Sequence, residues 1–356
     1  MRRIDFIKKS LTEGTCVRGE TYEDSATMQY YSVIGESLDI SDFPLVQINT
    51  IEKRTFMIQG NDGKCYLVFD TYLLENIYTL SYFLHENYGQ RLLHSFMWKI
   101  LAEECYINHK TNSALKFASA YMGGLDGIID ELQKEKLSER DSDILFVQQA
   151  FLIAHEIYHY SVNKNSGTKK RELDSEKSYL KFLYDYMSFH FPEINDGREA
   201  LINNKKLVEE CYCDSAGIIQ AIDVGVKVKR LDAAESGVAA TLALMNQYLI
   251  SIIQDWVHNA GNVSIEKLHN LFLLRIVNLK AFTRDYLREC YDKSDEEKFR
   301  TMIQDVNEKW KKNVYEPVLK LLTDYYLDFQ EPDTQHILSG EDKKRIRSVL
   351  WEIFRL

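Results

Sequence analysis

Proline and glycine are scarce in this chain, with four Pro and 16 Gly among 356 residues. A fold of many short strands needs frequent turns, so the shortage argues against a β-sandwich or barrel and for long helices. Cysteine is thin as well. Six Cys with no C-x-x-C spacing do not make a disulfide framework in a chain this long, and Cys211-Tyr212-Cys213 points neighbouring thiols to different sides of a helix. Reduced thiols in a cytoplasmic protein are the expectation. Positive charge is also in deficit: 44 Lys and Arg face 54 Asp and Glu, for a net charge of -10. That balance argues against a nucleic acid or an anionic membrane as partner. The basic clusters at Lys169-Lys170-Arg171 and Lys343-Lys344-Arg345-Ile346-Arg347 read as solvated faces. The start, Met1-Arg2-Arg3-Ile4-Asp5-Phe6-Ile7-Lys8-Lys9, is basic like a secretory leader, but Lys8 and Lys9 interrupt the apolar segment a leader requires. One stretch, Ser236 to Gln254, carries no charge at all. Because Ser236, Thr241, Asn246, Gln247 and Ser251 break its apolar run, a buried core helix is expected there rather than a membrane span.

What is present falls into three stretches: 1–72, an N-terminal arm with a small β-sheet; 73–225; and 226–356, a helical C-terminal region. Between Met28 and Asp70 lie four β-prone runs, Gln29 to Ile34, Leu45 to Ile51, Thr55 to Gln59 and Cys65 to Phe69. Gly60-Asn61-Asp62-Gly63 joins the last two, and Asp-Gly between such runs is a strong hairpin signal. The expected sheet is antiparallel, serving either as plain scaffold or as an edge to which an extended peptide could add. From Thr71 onward helices are expected at 72–86, 90–108, 113–135, from about Asp141 or Ser142 to Val162, then 172–190, 199–222, 229–258, 264–292, 294–314, 316–328 and 341–354. Asn163 to Lys170 reads as a loop by composition, either idle surface or a lid or exosite. Tyr179, Phe182, Tyr184, Tyr186 and Phe189 form an aromatic stripe expected to pack into the core. The C-terminal third offers no recognisable chemistry.

Chemistry concentrates at His155-Glu156-Ile157-Tyr158-His159, an H-E-x-x-H pattern following the mostly apolar run from Ile144. Imidazoles at i and i+4 lie one helical turn apart on one face, close enough to bind one ion. Glu156 sits roughly 100° further round and can reach a water without binding the metal itself. Peptide hydrolysis lacks a nucleophile at neutral pH, and zinc supplies one by lowering the pKa of bound water to about 7. Glu156 is then the expected general base, passing the proton on to the leaving amine. Further along, Glu210 and Asp214 stand at i and i+4 and set two carboxylates on one helix face. Glu209 competes with Glu210 for a ligand role, though it has no carboxylate four residues on.

H-E-x-x-H followed on a later helix by E-x-x-x-D resembles the gluzincin clan of zinc peptidases and, more narrowly, bacterial Lit-type and ImmA/IrrE-type peptidases. The resemblance covers about ten residues in each of two segments. It implies a zincin-like catalytic core within 73–225, with His155, His159 and Glu210 holding Zn2+, Glu156 as general base and Asp214 orienting a zinc-bound imidazole. Three protein ligands leave a position for water, the catalytic stoichiometry. It also implies that a later Tyr or His steadies the oxyanion, for which His258 and His269 are candidates. The combined expectation is a predominantly helical α+β fold with endopeptidase activity on an intracellular protein or peptide, in regulation or phage defence, with a regulatory partner. The competing expectation is a helical interaction protein whose metal is structural or absent.

Overall fold

The computed structural model describes Ser32 and residues 44–325, apart from 61–62, 85–89, 125–138, 165, 191–202 and 260–264. Among these residues the chain is predominantly helical with one small sheet. Apart from Ser32, the strand expected at Gln29 to Ile34 lies outside them, as do the helix expected at 341–354 and the second basic cluster.

Three strands form the sheet: β1 (Leu45–Ile48), β2 (Phe56–Gln59) and β3 (Cys65–Asp70), in the order β1-β3-β2. The hairpin is as expected. β2 and β3 pair antiparallel with Gln59 opposite Cys65, and Gly63 takes a φ of 77°, which glycine adopts without steric cost. The expectation of a wholly antiparallel sheet is corrected, since β1 runs parallel to β3 with Leu45 opposite Leu67. The tight turn commits β2 to one side of β3, so β1 can pair only on the other side. Its direction is then set by the 49–55 connection. Asp70 holds that connection down by accepting from Thr50 N (3.2 Å), Thr50 Oγ1 (2.6 Å) and Tyr72 N (3.0 Å). Through the last bond it caps the helix α1 (Thr71–Tyr82).

The helices that follow are α2 (Gln90–Ile107), α3 (Thr111–Gly124), α4 (Glu139–Lys164), α5 (Ser166–His190), α6 (Lys205–Lys229), α7 (Ala233–His258), α8 (Ile265–Cys290), α9 (Lys293–Trp310) and α10 (Glu316–Asp324). A single π-helical turn, Lys311–Tyr315, separates the last two. Two boundaries differ from expectation. α4 begins at Glu139, so Asp141 and Ser142 lie inside its first turn and are not its N-cap. The loop expected at 163–170 is helical at both ends: Lys164 closes α4 and Ser166 opens α5. A polar composition suits an exposed helix as well as a loop, and Lys169 secures this one by pairing with Glu172 (2.8 Å) and Tyr212 (3.0 Å). Within the aromatic stripe of α5, Tyr184 is buried but Phe182 is 63 % exposed.

α7 is the central helix. It is long and apolar enough to cross a membrane by composition, yet 89 % of its most apolar window is buried inside the fold, as expected of a core helix. It packs against α1, α2, α4, α6, α8 and α9. Burial of side chains such as Leu244, Leu249 and Ile253 contributes roughly 1.5–3 kcal/mol each. Its internal polar groups find partners within the core: Asn246 donates to Ile77 O and Ser81 Oγ and accepts from Trp310 Nε1, each at 2.9 Å. α4 and α6 form the most extensive helix pair in the fold. Gly217 makes their closeness possible, because a Cβ there would stand 3.3 Å from His155 N and 3.4 Å from Phe151 O.

Candidate metal centre

The α4–α6 crossing carries both motifs. On α4, His155 and His159 face the same way, as their i, i+4 spacing requires, with Nε2 atoms 3.1 Å apart. Across from them, on α6, Glu210 Oε2 lies 3.4 Å from His155 Nε2 and 3.6 Å from His159 Nε2. These three atoms form a nearly equilateral triangle. A tetrahedral zinc ion with bonds of about 2.0–2.1 Å sets its donors about 3.3 Å apart, so the edges match that geometry. Two imidazoles and a carboxylate are also a donor set that zinc accepts, with room for a fourth donor.

Each imidazole is backed on its far nitrogen. His155 Nδ1 stands 2.9 Å from Asp214 Oδ1, and His159 Nδ1 stands 2.9 Å from Glu209 Oε1. A carboxylate in that position keeps the proton on Nδ1 and turns the Nε2 lone pair toward the shared point. Glu209 and Glu210 therefore divide the work. The nearer to both Nε2 atoms is Glu210, and Glu209 orients a ring. Sequence spacing raised the question of which of the two binds metal but did not reveal that both have a place.

Arg275, on α8, was missed from the sequence. Its guanidinium grips the fully buried Asp214 with Nε to Oδ2 and Nη2 to Oδ1, both 2.8 Å, and its Nη1 reaches Glu210 Oε2 at 3.2 Å. So the C-terminal region, expected to hold no chemistry, supplies the counter-charge for the site. An Arg inside Leu273-Leu274-Arg275-Ile276-Val277 was the available signal, since a charge in so apolar a run is rarely buried unpaired. Behind it, Asn278 and Ser215 hydrogen-bond the buried Glu176 at 2.8 and 3.4 Å and tie α5, α6 and α8 together.

The electrostatics follow from this packing. Burial disfavours the imidazolium of His155, but Asp214 and Glu210 outweigh it and raise its pKa to about 10. Burial likewise opposes ionisation of Glu210, yet the two imidazoles and Arg275 hold it well below the usual carboxylate range. For Asp214 the same burial is overcome chiefly by Arg275. Glu156 differs: burial pushes its carboxyl up, only partly offset by the two His, and it makes no hydrogen bond among the described residues. It opens instead into a cleft of about 770 Å³ that it lines with His155, His159, Glu210 and Arg275. The wall opposite includes Phe56, Met57 and Gln59 of the edge strand β2.

Of the two downstream His candidates, His258 does not join the site. His258 is exposed at the end of α7, bonded to Asn108 Oδ1 at 2.8 Å, and His269 lies outside the residues whose side chains are described. Tyr160, next in sequence to His159, also lines the cleft. No protein-family model, curated protein or solved structure matches this chain.

Proposed function

We propose that the chain is a zinc-dependent peptidase, held to its metal by His155, His159 and Glu210. The observation that carries this reading is the pairing of a three-donor triangle with an unpartnered carboxylate, Glu156, on one open cleft. A structural metal site would be closed by a fourth protein ligand and would have no use for a free acid beside it.

Bound at the triangle, zinc would act as a Lewis acid and lower the pKa of water to about 7. The chain's own residues do the rest. Glu156 takes a proton from the attacking water and returns it to the leaving amine, which a carboxyl with a raised pKa does more readily than an ordinary one. Asp214 and Glu209 hold the two rings in register, and Arg275 keeps Asp214 ionised in a buried setting. Tyr160, as a lining residue of the cleft, is the candidate to donate to the substrate carbonyl, where charge develops. The substrate is a polypeptide rather than a small molecule, because an edge strand borders the cleft and offers main-chain hydrogen bonds to an extended chain. A protein of the cell interior is the substrate that the free thiols favour, and its cleavage in a regulatory or defensive response is what the resemblance to Lit-type and ImmA/IrrE-type peptidases implies.

The test compares wild-type protein with Glu156→Gln. Elemental analysis should find about one zinc per chain in both, as three donors are untouched. Incubated with cell lysate, wild type should produce new protein termini detectable by mass spectrometry, and Glu156→Gln should produce them at least about 100-fold more slowly. Equal rates would remove Glu156 from the base role, and no bound metal in either protein would leave a helical interaction protein as the better description.

A further inference from the structure

A second cavity of about 510 Å³ adjoins the metal cleft. The two share Phe56, Gln247 and Ser251 as walls and so lie side by side as a two-part groove, with the triangle of His155, His159 and Glu210 in the first part. Its second part lies between the 52–56 segment and α7. The apolar helix α7 is informative here: from Val238 to Ile253 every residue is buried except Gln247 and Ser251. Gln254, also half-buried, continues the same face at i, i+4 and i+7. A helix otherwise sealed in the core thus turns Gln247, Ser251 and Gln254 to the second cavity, while Thr241 and Asn246 stay inside the core.

The end of the groove is firmly built. Gln254 Nε2 donates to Glu52 O at 3.3 Å and to Glu104 Oε1 at 3.4 Å. Glu104 is paired with the buried Lys53, whose Nζ lies 2.8 Å from it and 2.7 Å from Glu103. Lys53 takes a φ of 53°, a region that costs a non-glycine residue energy and persists only when surroundings fix it. The wall beside the second cavity is therefore held by buried ion pairs. Gln247 accepts from Ser251 Oγ at 3.0 Å through its main-chain oxygen, but its side chain makes no hydrogen bond among the described residues. Its carboxamide offers both a donor and an acceptor at the junction of the two cavities.

We infer that this second cavity selects the substrate: it receives the polypeptide segment on one side of the cut bond, and Gln247 reads an uncharged, hydrogen-bonding side chain there. The inference rests on the hydrolytic reading above. The lining mixes apolar Leu73 and Ile250 with Glu52 and the exposed Arg54, which are of opposite sign, and with Lys53, whose charge is already neutralised, so neither sign prevails and the neutral carboxamide of Gln247 sets the preference. A site built to hydrogen-bond a polar group disfavours analogues that lack it, because the half-buried carboxamide of Gln247 is then left without a partner.

The test uses the zinc-loaded full chain and the variants Gln247→Glu, Gln247→Lys and Gln247→Leu, each incubated with a peptide library whose cut sites are read by mass spectrometry. Wild type should show a preference for uncharged polar side chains at one fixed position on one side of the cut. Gln247→Glu should turn that position toward Lys and Arg by about tenfold, and Gln247→Lys toward Asp and Glu by a similar factor. Gln247→Leu, close in size, should flatten the preference, and it guards against misfolding of the charged variants. Zinc content and melting temperature are measured for all four proteins. Folded variants that keep the wild-type profile overturn the inference while leaving hydrolysis standing. A wild type that cuts no faster than Glu156→Gln overturns the hydrolytic reading itself, and no profile then exists to compare.

Discussion

Replacing Arg275 by Met tests whether the site is supported from α8. In the native fold Arg275 makes two 2.8 Å bonds to an Asp214 that is wholly buried, and a 3.2 Å contact to Glu210. Met keeps much of the volume and removes the charge, which leaves Asp214 facing His155 alone. Removing one partner of a buried pair typically costs about 3–5 kcal/mol, because the remaining charge is unsolvated. Loss of support for an imidazole ligand typically costs about 10- to 100-fold in metal affinity. Both values are expected for Arg275→Met, read by urea denaturation of the metal-free protein and by competition with a chromophoric zinc chelator. Arg275→Lys should fall between, since it restores a charge but not the two-pronged geometry. The decisive comparison is the double variant Arg275→Met, Asp214→Asn. It leaves no unpaired charge and should be more stable than Arg275→Met alone. A double variant whose destabilisation equals the sum of the two single ones, together with unaltered zinc affinity in Arg275→Met, would refute the coupling of α8 to the site.

Three further outcomes follow from the same geometry. Zinc must displace the proton that His155 holds, so zinc affinity should rise by about tenfold per pH unit for a one-proton exchange between pH 6 and 8, measured by chelator competition. The sign for folding is opposite: with a folded pKa of about 10 against an ordinary 6.5, His155 stabilises the metal-free fold fully below pH 6.5 and loses that contribution as pH rises through about 10. Gly217→Leu should push α6 from α4, because its Cβ would already crowd His155 N at 3.3 Å. An overpacking cost of about 1–3 kcal/mol and a zinc content well below one per chain are expected, by denaturation and elemental analysis.

The sequence alone determined what local spacing can determine. The i, i+4 repeats place His155 beside His159 and Glu210 beside Asp214, whatever the helices pack against. Asp62-Gly63 between two β-prone runs specified the hairpin, and the uncharged run from Ser236 to Gln254 specified a core helix. Only the tertiary structure decided which atoms converge. Glu209 and Glu210 are adjacent and alike in the sequence, but the angle at which α6 crosses α4 aims one at the metal position and the other at the back of His159. Arg275 lies 61 positions after Asp214 and no periodicity links them, since an ion pair between helices depends on their packing in space. The direction of β1 and the joining of the two cavities are matters of the same kind. Hydrophobic periodicity states that a helix has a buried face, but the neighbour that buries it is chosen by the shapes of all the other elements together.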